Sequence, residues 1–182
     1  NHPLSSRFKY QWQIRWVFWR PKLKREASTI GVTMKFYKNK LALITGASEG
    51  IGKAICIELA KAGCHVIGIS RSEQKLHDAF ADIQNYSSNA DQVLRYLPCD
   101  VTDYSKVTET VEKIIADHGT PDILINCAGI ARPGYIQDLK IEDYKTMMDL
   151  NYFGIVHTCK ALAPHMMQKK SGWIMNTSSI AG

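Results

Sequence analysis

No two cysteines of this 182-residue chain form a Cys-x-x-Cys pair. Cys56, Cys64, Cys99, Cys127 and Cys159 are odd in number and far apart. Neither a zinc site nor a disulfide framework is suggested, and reduced thiols in a cytosolic compartment are the simpler reading. Internal repeats and low-complexity segments are also missing. Acid is scarce at the front, where residues 1–40 hold ten Lys or Arg and a single acid, Glu26. Residues 41–182 hold thirteen basic residues against sixteen acids. The formal net charge of +6 therefore belongs to the front segment, and the remainder is mildly acidic. A basic front can touch nucleic acid or an anionic membrane. Nucleic-acid binding through residues 7–25 would rest on charge alone, and no nucleic-acid partner is expected.

Within that front, Trp12, Trp16 and Trp19 stand with Ile14, Val17 and Phe18 among Arg15 and Arg20. The run is too short and too charged to span a bilayer. Two readings stay open: a basic amphipathic piece lying at a membrane interface, or non-native sequence ahead of a natural start at Met34. The second is preferred, so residues 1–33 are set apart and residues 34–182 are read as one domain. With 45% hydrophobic and 22% charged residues, the chain has an ordinary globular composition and enough length for a real core.

The remainder is organised around Thr45-Gly46-Ala47-Ser48-Glu49-Gly50-Ile51-Gly52. The apolar run 41–44 before it reads as a buried strand, and 53–62 after it carries apolar residues at helical spacing. Strand, glycine-rich turn and helix make a nucleotide site: glycine lets a phosphate approach the backbone, and the helix N-terminus presents free N–H groups and a positive dipole end. Gly46, Ser48, Glu49, Gly50, Ile51 and Gly52 are the candidate contacts, Ser48 adding a hydroxyl. An ordinary strand-to-helix turn is the bland alternative.

Further strands are expected at 64–70, 93–99, 122–126 and 172–177. Helices are expected at 72–84, at a segment with Val107, Val111, Ile114 and Ile115 on one face, and as one long helix over 141–168 holding Asn151. Thr102 or Asp103 can cap the helix after the third strand. Strands alternating with helices predict an α/β fold: a doubly wound, Rossmann-type parallel sheet with right-handed crossovers, stopping after its fifth strand. Ligands of such sheets bind outside the carboxyl ends of the strands. Gly46, Ser70-Arg71, Asp100, Asn126 and Ser178-Ser179 all fall there.

A site that prefers NAD usually has an acid at the end of the second strand. Here Ser70 and Arg71 stand instead, with Lys75 one helical turn on. A guanidinium suits a 2′-phosphate, so the expected cofactor is NADPH, with Arg71 and Lys75 as contacts; a solvated surface pair is the alternative. Glu49 weakens the case, since a carboxylate there repels an added phosphate. Asp100, with the Val101 backbone, can accept from an adenine amino group or simply cap the next helix. Asn126-Cys127-Ala128-Gly129 leaves the fourth strand with small residues, so a ring or ribose can pass close by; Asn126, Ala128 and Gly129 are the candidate contacts. Nothing basic adjoins Cys127, which reads as filler.

Thr45-Gly46-x-x-x-Gly50-x-Gly52, Asp100-Val101, Asn126-Cys127-Ala128-Gly129, Asn151 and Asn176-Thr177-Ser178-Ser179-Ile180-Ala181-Gly182 occur in order and at spacings that strongly resemble the short-chain dehydrogenase/reductase family. The stretches Ala131-Arg132-Pro133-Gly134-Tyr135 and Asp149-Leu150-Asn151-Tyr152-Phe153-Gly154, with Arg71 and Lys75, resemble the branch that reduces 3-ketosphingoid bases. The resemblance implies hydride transfer from NADPH to a ketone, a serine hydrogen-bonding the developing alkoxide, and an asparagine holding water in a proton relay. By motif match the serine is Ser179, with Ser178 the alternative, and the asparagine is Asn151. The residues alone leave Asn151 as a locally satisfied polar group and the serines as turn residues.

The family's Tyr-x-x-x-Lys pair is absent: none of the eight tyrosines has a lysine four residues later. A fragment without its proton donor, its last strands and its substrate lid is expected, catalytically dead or nearly so, with an open sheet edge and poor solubility. The runner-up functions are reduction of a steroid, retinoid or ketoacyl substrate, or a non-catalytic nucleotide-binding role. The resemblance also implies a lipid-like ketone substrate, a possible homodimer through the long helix, and a cytoplasmic setting, at the endoplasmic reticulum membrane in a eukaryote. Met147, Met148, Ile155 and Met166 could serve that dimer or be core.

Overall fold

A computed structural model describes residues 35–178. The tryptophan-bearing front, Met34 and Ser179 lie outside the described residues, together with the expectations placed on them. Five strands form one parallel sheet: β1 (Leu41–Thr45), β2 (His65–Ser70), β3 (Leu94–Pro98), β4 (Ile123–Asn126) and β5 (Trp173–Asn176), in the order β3-β2-β1-β4-β5. The order reverses between β1 and β4, the switch point where such sheets open a crevice. Helix α1 (Gly50–Lys61) joins β1 to β2, α2 (Glu73–Ile83) joins β2 to β3, and α3 (Tyr104–His118) joins β3 to β4. Between β4 and β5 run α4 (Ile141–Met148), a π-helical turn (Asp149–Phe153) and α5 (Gly154–Lys169).

The two-residue period of a strand sorts β1 into two cores. Ala42 and Ile44 pack with Val66 against Cys56 and Leu59 of α1 and Leu76 and Phe80 of α2. Leu41 and Leu43 pack with Ile67 and Ile69 against Val107, Val111 and Ile114 of α3 and Leu162 and Met166 of α5. Gly68 makes room in the first core, because a Cβ there would stand 2.6 Å from the Phe80 ring. Burial pushes the Cys56 and Cys64 thiols up to about 12, so both behave as small apolar fillers.

Asp122 ties three elements. Its carboxylate accepts from the Leu41 amide at 2.9 Å and from Lys169 Nζ at 2.7 Å, joining the starts of β1 and β4 to the end of α5. Asp103, not Thr102, caps α3, accepting from the Lys106 amide at 3.2 Å.

The long helix expected over 141–168 is helical throughout but not uniformly α. A π turn interrupts it at Asn151, where the side chain leaves its own helix to bond another segment. Asn151 Oδ1 accepts from the Ile130 amide at 2.9 Å, and Nδ2 donates to the Ile130 carbonyl at 2.8 Å. Gly154, at the end of that turn, lies so close to Val101 that a Cβ would stand 2.9 Å from its Cγ2. Pro164 sits inside α5 and gives up one helical hydrogen bond.

Candidate nucleotide-binding site

The turn after β1 is held from two sides. Thr45 Oγ1 accepts from the amides of Cys127 (3.1 Å) and Ala128 (2.9 Å), clamping the end of β1 to the chain leaving β4. Gly46 has φ +69°, and a Cβ there would come within 2.9 Å of the Ala128 nitrogen. At Gly52 a Cβ would collide with the Gly46 carbonyl oxygen. Both positions therefore require glycine, one for backbone conformation and close packing, the other for close packing alone.

These contacts open a cleft of about 320 Å³ above the switch point. Gly46, Ser48, Glu49, Gly50, Ile51 and Gly52 form one wall. Ser70 and Arg71 close it from the end of β2, Cys99 and Val101 from beyond β3. Cys127, Ala128, Gly129 and Ile130 form the side beyond β4, joined by Leu150 of the π turn. Ten of the fifteen cofactor and catalytic candidates named from sequence are thus in the wall, namely the six of the glycine turn, Arg71, Val101, Ala128 and Gly129, while Asn151 stands behind it and holds the wall residue Ile130.

Lys75, Asp100 and Asn126 stand outside the cleft wall, and Ser179 lies outside the described residues. Lys75 Nζ instead reaches Glu49, at 3.0 and 3.3 Å from its two carboxylate oxygens. Asp100 Oδ1 accepts from the Thr102 amide (3.0 Å) and hydroxyl (2.8 Å), a local turn. Asn126 is buried: Nδ2 donates to Asn176 Oδ1 at 2.9 Å and Oδ1 accepts from the Thr158 hydroxyl at 2.8 Å, bridging β4, β5 and α5 beneath the cleft. Sequence reasoning gave no role to the Thr45 hydroxyl, Ile130 or Leu150. Reading the small-residue run one position further would have reached Ile130; nothing in the sequence marks Leu150, which arrives from 21 residues beyond Gly129.

The cleft suits an anionic nucleotide. Helix α1 begins at its edge with no side chain capping the N-terminus and no acid in the first turn. The space a Cβ would take at Gly50 is open, with no atom within 4 Å. First-turn amides that lack a capping side chain and face open space are the donors a pyrophosphate needs. Ser70 Oγ donates to Ser48 Oγ at 3.0 Å, which leaves the Ser48 proton to point elsewhere. No group of three metal-ligating side chains, and no helix long and apolar enough to cross a membrane, occurs among the described residues.

A parallel sheet reversing at β1 and β4, with a glycine turn and an uncapped helix at that point, defines a Rossmann-type fold of the dinucleotide-binding kind. Residues 40–182 match the short chain dehydrogenase family, and the chain belongs to it. Among curated proteins it is 39% identical over 145 residues to a fatty acyl-CoA reductase of Acinetobacter baylyi, covering 79% of this chain and 48% of that protein. It is 36% identical over 141 residues to the 3-ketodihydrosphingosine reductase of Bos taurus, covering 77% of this chain and 42% of that one. The chain thus spans about half the length of the curated relatives it matches. Among solved structures, an NAD+-bound xylitol dehydrogenase superposes with a TM-score of 0.75 at 31% identity, covering 80% of this chain and 55% of that one. A short-chain dehydrogenase/reductase of Mycobacterium ulcerans gives the same TM-score at 29% identity, with 80% and 53% covered.

Proposed function

We propose that this chain is the nucleotide half of an NADPH-dependent reductase acting on the ketone of a long-chain lipid, of the 3-ketosphingoid-base kind. The observation that carries the cofactor choice is Arg71: an exposed guanidinium in the cleft wall at the end of β2, where an NAD site would have an acid. Support for the substrate class comes from the relatives named above, whose names describe a ketosphingoid base and a fatty acyl thioester. NADPH, when bound, supplies the hydride. The first-turn amides of α1 and the Ser48 hydroxyl hold the pyrophosphate, and Arg71 pairs with the 2′-phosphate. Val101, Ala128 and Gly129 give flat rings and ribose a close wall. Ser179 donates to the developing alkoxide, which is where electrostatic help matters most. Asn151 serves the proton relay, already oriented by its two bonds to Ile130.

The proton donor is not among these residues, because no tyrosine of the chain is followed by lysine at the fourth position. The 182-residue polypeptide alone therefore binds nucleotide but reduces ketones at least ~10²-fold more slowly than a family member with the pair. On this reading the protein works at the cytoplasmic face of a membrane, the endoplasmic reticulum in a eukaryote, where its substrate resides. Pairing of two copies would use the exposed side of the 141–169 helical stretch; Met148 is exposed there, whereas Met166 is core.

Titration calorimetry on the 182-residue chain tests the cofactor assignment. NADPH binds more tightly than NADH, and Arg71→Ala weakens NADPH about 10-fold, since a hydrogen bond to a charged group is worth ~1.5–3 kcal/mol, while NADH affinity changes less than about 2-fold. Tighter NADH binding by the wild-type chain would overturn the NADPH assignment. The 39% identity to a fatty acyl-CoA reductase favours a second substrate reading, an acyl thioester. Assaying the native gene product on a 3-ketosphingoid base and on a fatty acyl-CoA separates the two.

A further inference from the structure

The glycine turn contains an anomaly for a site that takes an extra phosphate: the carboxylate of Glu49 stands in the same cleft wall as Arg71. A bare carboxylate there would repel every phosphate in the cleft and compete for the guanidinium. It is not bare. Lys75 Nζ contacts both carboxylate oxygens, at 3.0 and 3.3 Å, across 26 residues of chain. Lys75 is set for this reach because Ser72 caps α2, accepting from the Lys75 amide at 3.3 Å, and so places Lys75 in the first turn. Both side chains are more than half exposed, 58% and 70%. Exposed ion pairs contribute little to stability, so retaining the fold does not account for this pair. The place of Glu49 in the same cleft wall as Arg71 gives the pair an electrostatic consequence instead.

We propose that Glu49 and Lys75 form a charge-compensating couple that sets how strongly the cleft discriminates between nucleotides with and without a 2′-phosphate. Lys75 acts through Glu49: it cancels a negative charge in the wall and is not itself a phosphate ligand. It is a positioning residue, and the specificity-determining group is the carboxylate it neutralises. The proposal rests on the nucleotide reading above, but it concerns the ratio of two affinities and holds whichever nucleotide the wild-type chain prefers.

A double-mutant cycle tests it, using the full 182-residue chain and measuring Kd for NADPH and NADH by calorimetry. Lys75→Met uncovers the carboxylate and lowers the NADPH preference, Kd(NADH)/Kd(NADPH), about 3- to 10-fold, the scale of one exposed charge at short range. Glu49→Gln changes that ratio less than about 2-fold, because Lys75 already cancels the carboxylate it removes. In the Glu49→Gln background Lys75→Met changes the ratio less than about 2-fold, since nothing remains to neutralise. The Lys75→Met effect shrinks at about 0.5 M salt, as screening requires. An equal loss from Lys75→Met with or without Glu49 would make Lys75 a direct phosphate ligand and overturn the proposal. An unchanged ratio in Lys75→Met, at unchanged melting temperature, would overturn it too. Wild-type preference for NADH with the cycle intact would remove the NADPH assignment and leave the couple standing. Binding of neither nucleotide would remove both.

Discussion

Strands β1 and β5 are alike in sequence and opposite in fate. Leu-Ala-Leu-Ile-Thr and Trp-Ile-Met-Asn are both short, mostly apolar and parallel to β4 between them. Every residue of β1 is buried and every residue of β5 is exposed. The difference is not composition. β1 has a strand on each edge and a helical layer on each face, while β5 pairs with β4 alone among the described residues. Among the described residues, the aromatic ring paired with Trp173 is Phe36, with centroids 5.6 Å apart and planes nearly perpendicular. An apolar run therefore marks a strand without saying how dry it is. Burial belongs to the neighbours, and stability should follow burial.

The strongest test removes Phe80, which is fully buried where α2 meets Gly68 of β2. Phe80→Ala takes away a large side chain and leaves a cavity that Gly68 cannot fill, costing about 3–5 kcal/mol. Urea titration should show that loss in the midpoint. A cost below about 1 kcal/mol would mean that the core around β1 and β2 is no more tightly held than the β5 edge, and the contrast would fail.

How far the sequence could be read follows the same division. The glycine turn, the parallel sheet implied by alternating elements, and the apolar face of α3 were legible because each is local: three glycines, or Val107, Val111 and Ile114 at helical spacing. Strand ends shifted by a residue or two, as element boundaries do. Fates decided across the fold were hidden. Lys75 looked like a phosphate ligand because it lies one turn from Arg71; its partner is Glu49, which only the packing of α2 beside the turn reveals. Asn126 looked like a cleft residue because it precedes two small ones, yet Thr158 and Asn176 draw its side chain inward. Asn151 read from its own segment as a locally satisfied polar group, whereas its two bonds from the π turn reach Ile130, 21 residues away.

A smaller effect is expected at the bottom of the sheet, where Asp122 links the buried and exposed halves. Partial burial works to raise its pKa, but hydrogen bonds from Lys169 and the Leu41 amide, with the charges of Lys169 and Lys40, outweigh it and hold the carboxyl below its ordinary value. A lowered carboxyl contributes stability that is fully present above the unfolded-state value, near ~3.9, and lost as the pH falls through the folded-state value. Asp122→Asn should cost about 1–2 kcal/mol at neutral pH, because it weakens the acceptor for one amide and one ammonium group. The cost should fade as the pH drops below about 4. A penalty just as large at pH 3 would show that lost packing, not the charge, is responsible. Denaturant melts of both proteins at several pH values decide between these outcomes.

The smallest effect is expected on β5 itself. Ile174 is paired in register with Leu124 and is 42% exposed. Threonine keeps the branched Cβ that suits a strand and removes apolar surface from an open patch formed with Trp173 and Met175. Ile174→Thr should therefore leave the urea midpoint within about 0.5 kcal/mol of wild type and raise the concentration at which the chain stays in solution. Light scattering and the melt should be read together, because self-association would cover this strand in solution. If the substitution cost more than about 1.5 kcal/mol, and the cost grew with protein concentration, β5 would have a second copy packed on it. Its exposure in a single chain would then describe one half of an interface. If the cost were small and independent of concentration, β5 would be an open edge that the core beneath β1 does not need, and burial rather than apolar sequence would remain the quantity that separates the two strands.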